Sequence, residues 1–129
     1  AATLAKLNTV LNKKAAGFGE QTATNAYNFA YRSLLALVAY RKDLPAAQVL
    51  SANPTLRATN NPEWRRAADC RRITFHVLNG AFGFRVADIA RAAGVTKAAV
   101  SLAIKEIEDA RDFDTDLDHI LNDLTYLLS

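Results

Sequence analysis

The chain predicts an all-α fold, a multi-helix orthogonal bundle containing a helix-turn-helix, and three observations carry that expectation. Apolar residues recur at i, i+3, i+4 and i+7 through the long segments, the period of a helix with one buried stripe. No stretch alternates apolar and polar residues as a half-buried strand would. Pro45, Asn61-Pro62, Gly80 and Gly94 fall where one periodic segment gives way to the next. At 129 residues the chain is one domain's worth, long enough to bury a core.

The first segment is short. Leu4, Leu7, Val10 and Leu11 make an amphipathic stretch that ends at the Gly17-Phe18-Gly19 loop. The spacing then predicts a longer helix over 22–41, with Ala26, Phe29, Ala30, Leu34, Leu37 and Val38 facing inward. Tyr27, Tyr31 and Tyr40 are expected to border that core. Pro45 suits the first turn of a brief helix reaching Leu50. From Ser51 to Asn61 the sequence is polar and turn-rich, the one long loop. Residues 1–55 thus read as N-terminal helices of a single domain whose core is 61–129.

Asn61-Pro62-Glu63 is a helix start: a capping side chain, proline in the first turn, then an acid that suits the helix dipole. This helix is expected to run to Leu78 or Asn79 and stop at Gly80. Trp64, Ala68, Ile73, Phe75 and Leu78 face inward, and Arg65, Arg66, Arg71 and Arg72 form two basic patches. After Phe82-Gly83-Phe84 the helix-turn-helix begins. Val86, Ile89 and Ala90 make a short apolar face that Gly94 interrupts, since glycine tolerates the left-handed conformation that closes a helix. Val95 plugs the crossing, and Thr96 caps a recognition helix over 96–110. Val100, Ile104 and Ile107 form its inner face. Lys97, Ala98, Ser101 and Lys105 form the outer one, small, polar or basic, as a helix entering a DNA major groove requires. A last helix runs from Thr115 to Leu128, with Leu117, Ile120, Leu121, Leu124 and Leu127 inward. Thr115 and Asp118 resemble a capping box with Asp in place of Glu.

The net charge of +3 hides a segregation. Residues 41–105 hold eleven Lys or Arg against four acids, whereas 106–129 hold one Arg against eight. A basic centre carrying the helix-turn-helix suits a phosphate backbone. The acidic tail must point away, fold back, or face a basic partner. No apolar run approaches the roughly 18 residues that span a bilayer, and the longest, Ser33 to Tyr40, falls far short. Neither a signal peptide nor a membrane is expected. One cysteine, Cys70, leaves no internal disulfide and suits a reducing cytosol. The chain has no methionine, so an excised domain or processed product is expected.

The order of parts resembles the C-terminal DNA-binding domain of the bacterial replication initiator DnaA, in the Trp-repressor-like helix-turn-helix superfamily. The residues that carry it are RRITFHVLNGAFGF (71–84), VADIARAAG (86–94), VTKAAVSLAIKEIE (95–108) and TDLDHILNDL (115–124), within 37–128. The resemblance implies DNA binding through the helix from Thr96, a backbone-anchoring arginine at Arg71, and a minor-groove contact from Arg57. The family's Asp-His pair at the start of its recognition helix falls on Thr96 and Lys97 here. Transcriptional regulators with a helix-turn-helix also carry a core like Asp88 to Ser101, which favours a bacterial or phage-related regulator over an origin-binding initiator.

Other chemistry finds no support. His76 and His119 share no metal-type spacing with Cys70, and His76 reads as a satisfied, partly buried histidine. Asp112, Asp114, Asp116 and Asp118 lack the glycine and bidentate Glu that an EF-hand loop needs. Gly17 and Gly19 have no following Lys-Ser/Thr to cradle a phosphate, and Ser101 has no histidine within helical reach. No enzyme, metal or cofactor is expected. The expected partner is double-stranded DNA, with Lys97, Ala98, Ser101 and Lys105 facing the bases and Thr96 nearest the backbone. Phosphate contacts would come from Arg65, Arg66, Arg71, Arg72, Arg85 and Arg91. Two rivals stand beside it: a helical module that docks on RNA polymerase or another regulator through the acidic tail, and a DNA-packaging or replication adaptor. A cytoplasmic location on the nucleoid follows from the first reading.

Overall fold

A computed structural model describes residues 20–55 and 60–128. Among them are six helices packed together and no strand: α1 (Glu20–Arg41), α2 (Ala46–Ser51), α3 (Pro62–Gly80), α4 (Val86–Ala93), α5 (Lys97–Ala110) and α6 (Thr115–Leu127). The amphipathic stretch through Leu11, the Gly17-Phe18-Gly19 loop and Arg57 lie outside the described residues.

α3 is the central helix and packs against each of the other five. Its start is built as the sequence predicts. Asn61 Oδ1 accepts the N–H groups of Glu63 and Trp64 at 2.9 and 3.3 Å, and Pro62 opens the first turn. Trp64 is only half-buried; its Nε1 donates to the Asn53 carbonyl at 2.9 Å and ties the preceding loop to α3. The helix takes in Gly80 rather than stopping before it. The Ala81 and Phe82 N–H groups close onto the Val77 carbonyl with Ala81 still in the right-handed region. The left-handed residue comes later, at Gly83 (φ 71°), just before the Phe84 N–H closes onto the Leu78 carbonyl.

The core gathers Phe84, Ile73, Leu78, Ile89, Val38 and Val100 around α3. The Tyr27 ring meets Phe84 edge-on at 4.8 Å, and Tyr31 stacks on Phe75 at 6.0 Å. That arrangement corrects the inward face of α1. Phe29 is 74% exposed, while Tyr27, Tyr31, Leu34, Leu35, Val38 and Ala39 are buried. Ala26, Ala30 and Leu37 are half-buried, and Tyr40 lies out in solvent. Two registers share Leu34 and Val38. In the tyrosine register both rings pack on core phenylalanines, Phe84 and Phe75, and the Tyr27 hydroxyl has an acceptor in Asp88. Phe29, two residues on, is carried about 200° around the helix.

The acidic tail folds back on the molecule. Asp123 of α6 meets Arg41 of α1 at 2.6 Å, Asp118 meets Arg111 at 2.8 Å, and Glu108 pairs with His76. Exposed pairs like these contribute at most about 1 kcal/mol each; burial of Leu117, Leu121 and Leu124 is what holds α6 down. Two details of α6 differ from expectation. Its cap is Asp114, extended in backbone, which accepts the Leu117 N–H at 3.0 Å; Thr115 is the first helical residue, and Asp118 bonds Arg111 rather than Thr115. Leu127, at the rim of the buried stripe in the final turn, is exposed.

Candidate nucleic-acid interface

α4 and α5 are joined by three residues, Gly94, Val95 and Thr96. Gly94 sits at φ 71° and ψ 34°, the left-handed conformation that lets its own N–H and that of Val95 close onto the Ala90 carbonyl. Val95 is half-buried against the core. Thr96 Oγ1 accepts the Ala99 N–H at 3.1 Å and so starts α5. The inner face of α5 is Val100, Ala103 and Ile107. Ile104, expected there, is only half-buried, at the margin of the stripe.

The outer face presents Lys97, Ala98, Ser101 and Lys105 to solvent, as anticipated, and adds Ala99 and Leu102. Leu102 was legible in principle, since two residues after the buried Val100 a side chain must point away from the core. Charge is polarised along this helix. Its residues through Lys105 include two lysines and no carboxylate, whereas Glu106, Glu108 and Asp109 crowd the C-terminal end.

Behind α5, the arginines of α4 are organised by a residue the sequence reading did not single out. Asp88 is 3% exposed and lies between Arg85 and Arg91 at i−3 and i+3. Arg85 Nε donates to Asp88 Oδ2 at 2.9 Å, Arg91 takes Oδ1, and the Tyr27 hydroxyl bonds to the same carboxylate. Burial raises the Tyr27 pKa, and the Asp88 charge raises it further, so the phenol stays a donor. Both arginines remain exposed while one edge of each is tethered. The signal was present in the sequence: an acid flanked by arginines three residues away on each side.

The remaining cations are dispersed. Arg65 and Arg66 are exposed in the first turns of α3. Arg72 is drawn to Asp69 and, at 3.8 Å, to Glu106. Arg71 requires a correction. It is 6% exposed, with its guanidinium 5.4 Å from the centre of the Trp64 ring, and so is withdrawn from the surface that a phosphate could reach. Its position on α3 turns it toward α1 and α2, where Tyr31 stands.

Cys70 is buried, and burial pushes its thiol pKa up, which leaves it a small core residue rather than a nucleophile. Among the described residues no group of three or more His, Cys, Asp or Glu is placed to hold a metal ion. No described helix is long and apolar enough to cross a membrane. Comparison with protein-family models, curated proteins and solved structures gives no match.

Proposed function

We propose that this chain binds double-stranded DNA sequence-specifically, as the DNA-reading part of a bacterial or phage-related transcriptional regulator acting on the nucleoid. One observation carries the reading: an exposed helix N-terminus bearing Lys97, Ser101 and Lys105 and no carboxylate, on a helix seated from behind by Val100, Ala103 and Ile107. A helix of this kind presents its first turns to base edges in a major groove, and α4 would cross the backbone as the first helix of a helix-turn-helix. Lys97, Ala98, Ser101 and Lys105 face the bases, and Thr96 lies nearest the sugar-phosphate backbone.

Arg85 and Arg91, tethered to Asp88, supply oriented phosphate contacts. Arg65 and Arg66 add further positive charge from α3. The resemblance of 71–124 to the DnaA DNA-binding domain supports the same placement of α5. Among duplex probes at rising salt, affinity should fall linearly on a log-log plot, with a slope of about −0.9 for each phosphate contacted. Binding that ignores salt, or no binding to any duplex at low salt, overturns the reading. The rival, a protein-docking module, draws on the exposed Phe113, Tyr126 and Leu127 around α6, and that second outcome would favour it.

A further inference from the structure

A cavity of about 300 Å³ lies between α1, α2, α3 and the end of α4. That volume is at the small end of cavities that take organic ligands. Its wall is polar and apolar in about equal parts: Leu35, Val49 and Pro54 stand on the apolar side, Arg71, Arg32 and Asn28 on the polar side, and Ala92 and Ala93 close it just before the Gly94 turn. Two buried polar atoms belong to its lining residues and satisfy nothing. Arg71 Nη1 and Asn28 Oδ1 have neither a hydrogen-bond partner nor contact with solvent.

A guanidinium this deeply buried ordinarily finds a carboxylate, because an uncompensated buried charge is costly. Among the described residues Arg71 has the Trp64 face and the phenol of Tyr31 nearby, and no carboxylate is among the groups acting on its charge. Burial lowers its pKa and Tyr31 opposes the fall; an arginine remains charged all the same. No Asp or Glu lines the cavity among the described residues. The fold therefore leaves a cation, an amide acceptor and an apolar wall around one space without an anion to complete them.

We propose that this cavity is a binding site for a small organic acid, a hydroxycarboxylate with a compact apolar body. The carboxylate would meet the guanidinium of Arg71, which lines the cavity. A neutral hydroxyl would donate to Asn28 Oδ1. The donor is a hydroxyl rather than an ammonium, because Arg32 also lines the cavity and a second like charge is disfavoured there. The apolar body would lie against Leu35 and Val49. This site stands whether or not α5 meets DNA.

Titration calorimetry of the whole chain with mandelate, lactate and hydroxyisocaproate tests it, with mandelamide and inorganic phosphate as comparisons. At least one hydroxy acid should bind saturably with a Kd below about 1 mM, and mandelamide, which lacks the charge, should not. Arg71→Gln should weaken binding at least about tenfold, as should Asn28→Ala, whose partly exposed position spares the fold should the arginine variant unfold. Trp64 fluorescence should follow the same isotherm, since its ring covers the guanidinium. The proposal is overturned if no hydroxy acid binds with a Kd below about 1 mM, if mandelamide binds as tightly as mandelate, or if folded Arg71→Gln binds like the wild type. Phosphate binding tighter than every hydroxy acid also overturns it, because the apolar wall then has no part.

Discussion

Arg85 Nε lies 2.9 Å from Asp88 Oδ2, and Arg91 grips the other oxygen of the same buried carboxylate. Asp88 thereby links α4, the helix that precedes α5, to Tyr27 of α1. Asp88→Ala should destabilise the fold by about 1–3 kcal/mol, because the buried Tyr27 hydroxyl loses its acceptor. The two exposed arginines, by contrast, simply return to solvent. A fall in the urea midpoint at constant m checks this, and an unchanged midpoint would show that the cluster is only a surface arrangement.

On α5 the burial pattern ranks two isoleucines. Ile107 is in the core and Ile104 at its edge. Ile107→Ala should cost roughly 2–5 kcal/mol, the range for deleting a buried branched side chain, and Ile104→Ala distinctly less. Denaturant titration of both variants decides. A larger loss at Ile104 would mean that α5 is rotated about its axis from the placement described.

Gly94 isolates a backbone effect. A Cβ built there meets nothing within 4 Å, yet φ is +71°. Gly94→Ala should therefore cost about 1–2 kcal/mol through conformation alone, and Gly94→Asn less, because asparagine tolerates the left-handed region. Equal losses for the two variants, read from thermal unfolding, would point to packing instead.

Tyr31 gives a pH signature. Burial pushes its phenol up from 10.0 to about 12, against the opposing pull of Arg71. The folded state thus holds the neutral phenol, and the unfolded state ionises first. Its share of stability is full below pH 10 and is lost as pH rises from 10 to about 12. That share is about 2–3 kcal/mol. Over this window Tyr31→Phe should lose less stability than the wild type. Parallel decline of the two proteins would show that Tyr31 ionises as freely when folded as when unfolded.

The parts of the sequence that proved most legible are those in which a local rule acts alone. Asn61-Pro62, Gly94 and Thr96 set helix ends through their own backbone and side-chain bonding, and each does what its residue type dictates. The failures arise where two readings of one helix differ only in distant partners. Phe29 is the more hydrophobic candidate, but Tyr27 is buried in its place, where partners far along the chain, the Phe84 ring and the Asp88 carboxylate, meet it. Arg71 is the same case in charge. Beside Arg72 it looks like one more surface cation, and only the packing of Trp64 and α1 around it withdraws it. On the outer face of α5, Lys97, Ser101 and Lys105 were readable from the period alone. Asp88, which orders the arginines behind them, stood in view without a reason to be noticed until Tyr27 supplied one.

The central claim is that the outer face of α5 reads bases. Selection from a random duplex library with the whole chain, repeated with a Lys97→Ala/Ser101→Ala double variant, tests it most directly. The wild type should enrich a defined motif. The variant, still folded, should lose preference at the contacted positions by about 1–3 kcal/mol for each base contact removed. An identical motif of equal strength from both proteins, or no motif from either, would contradict it.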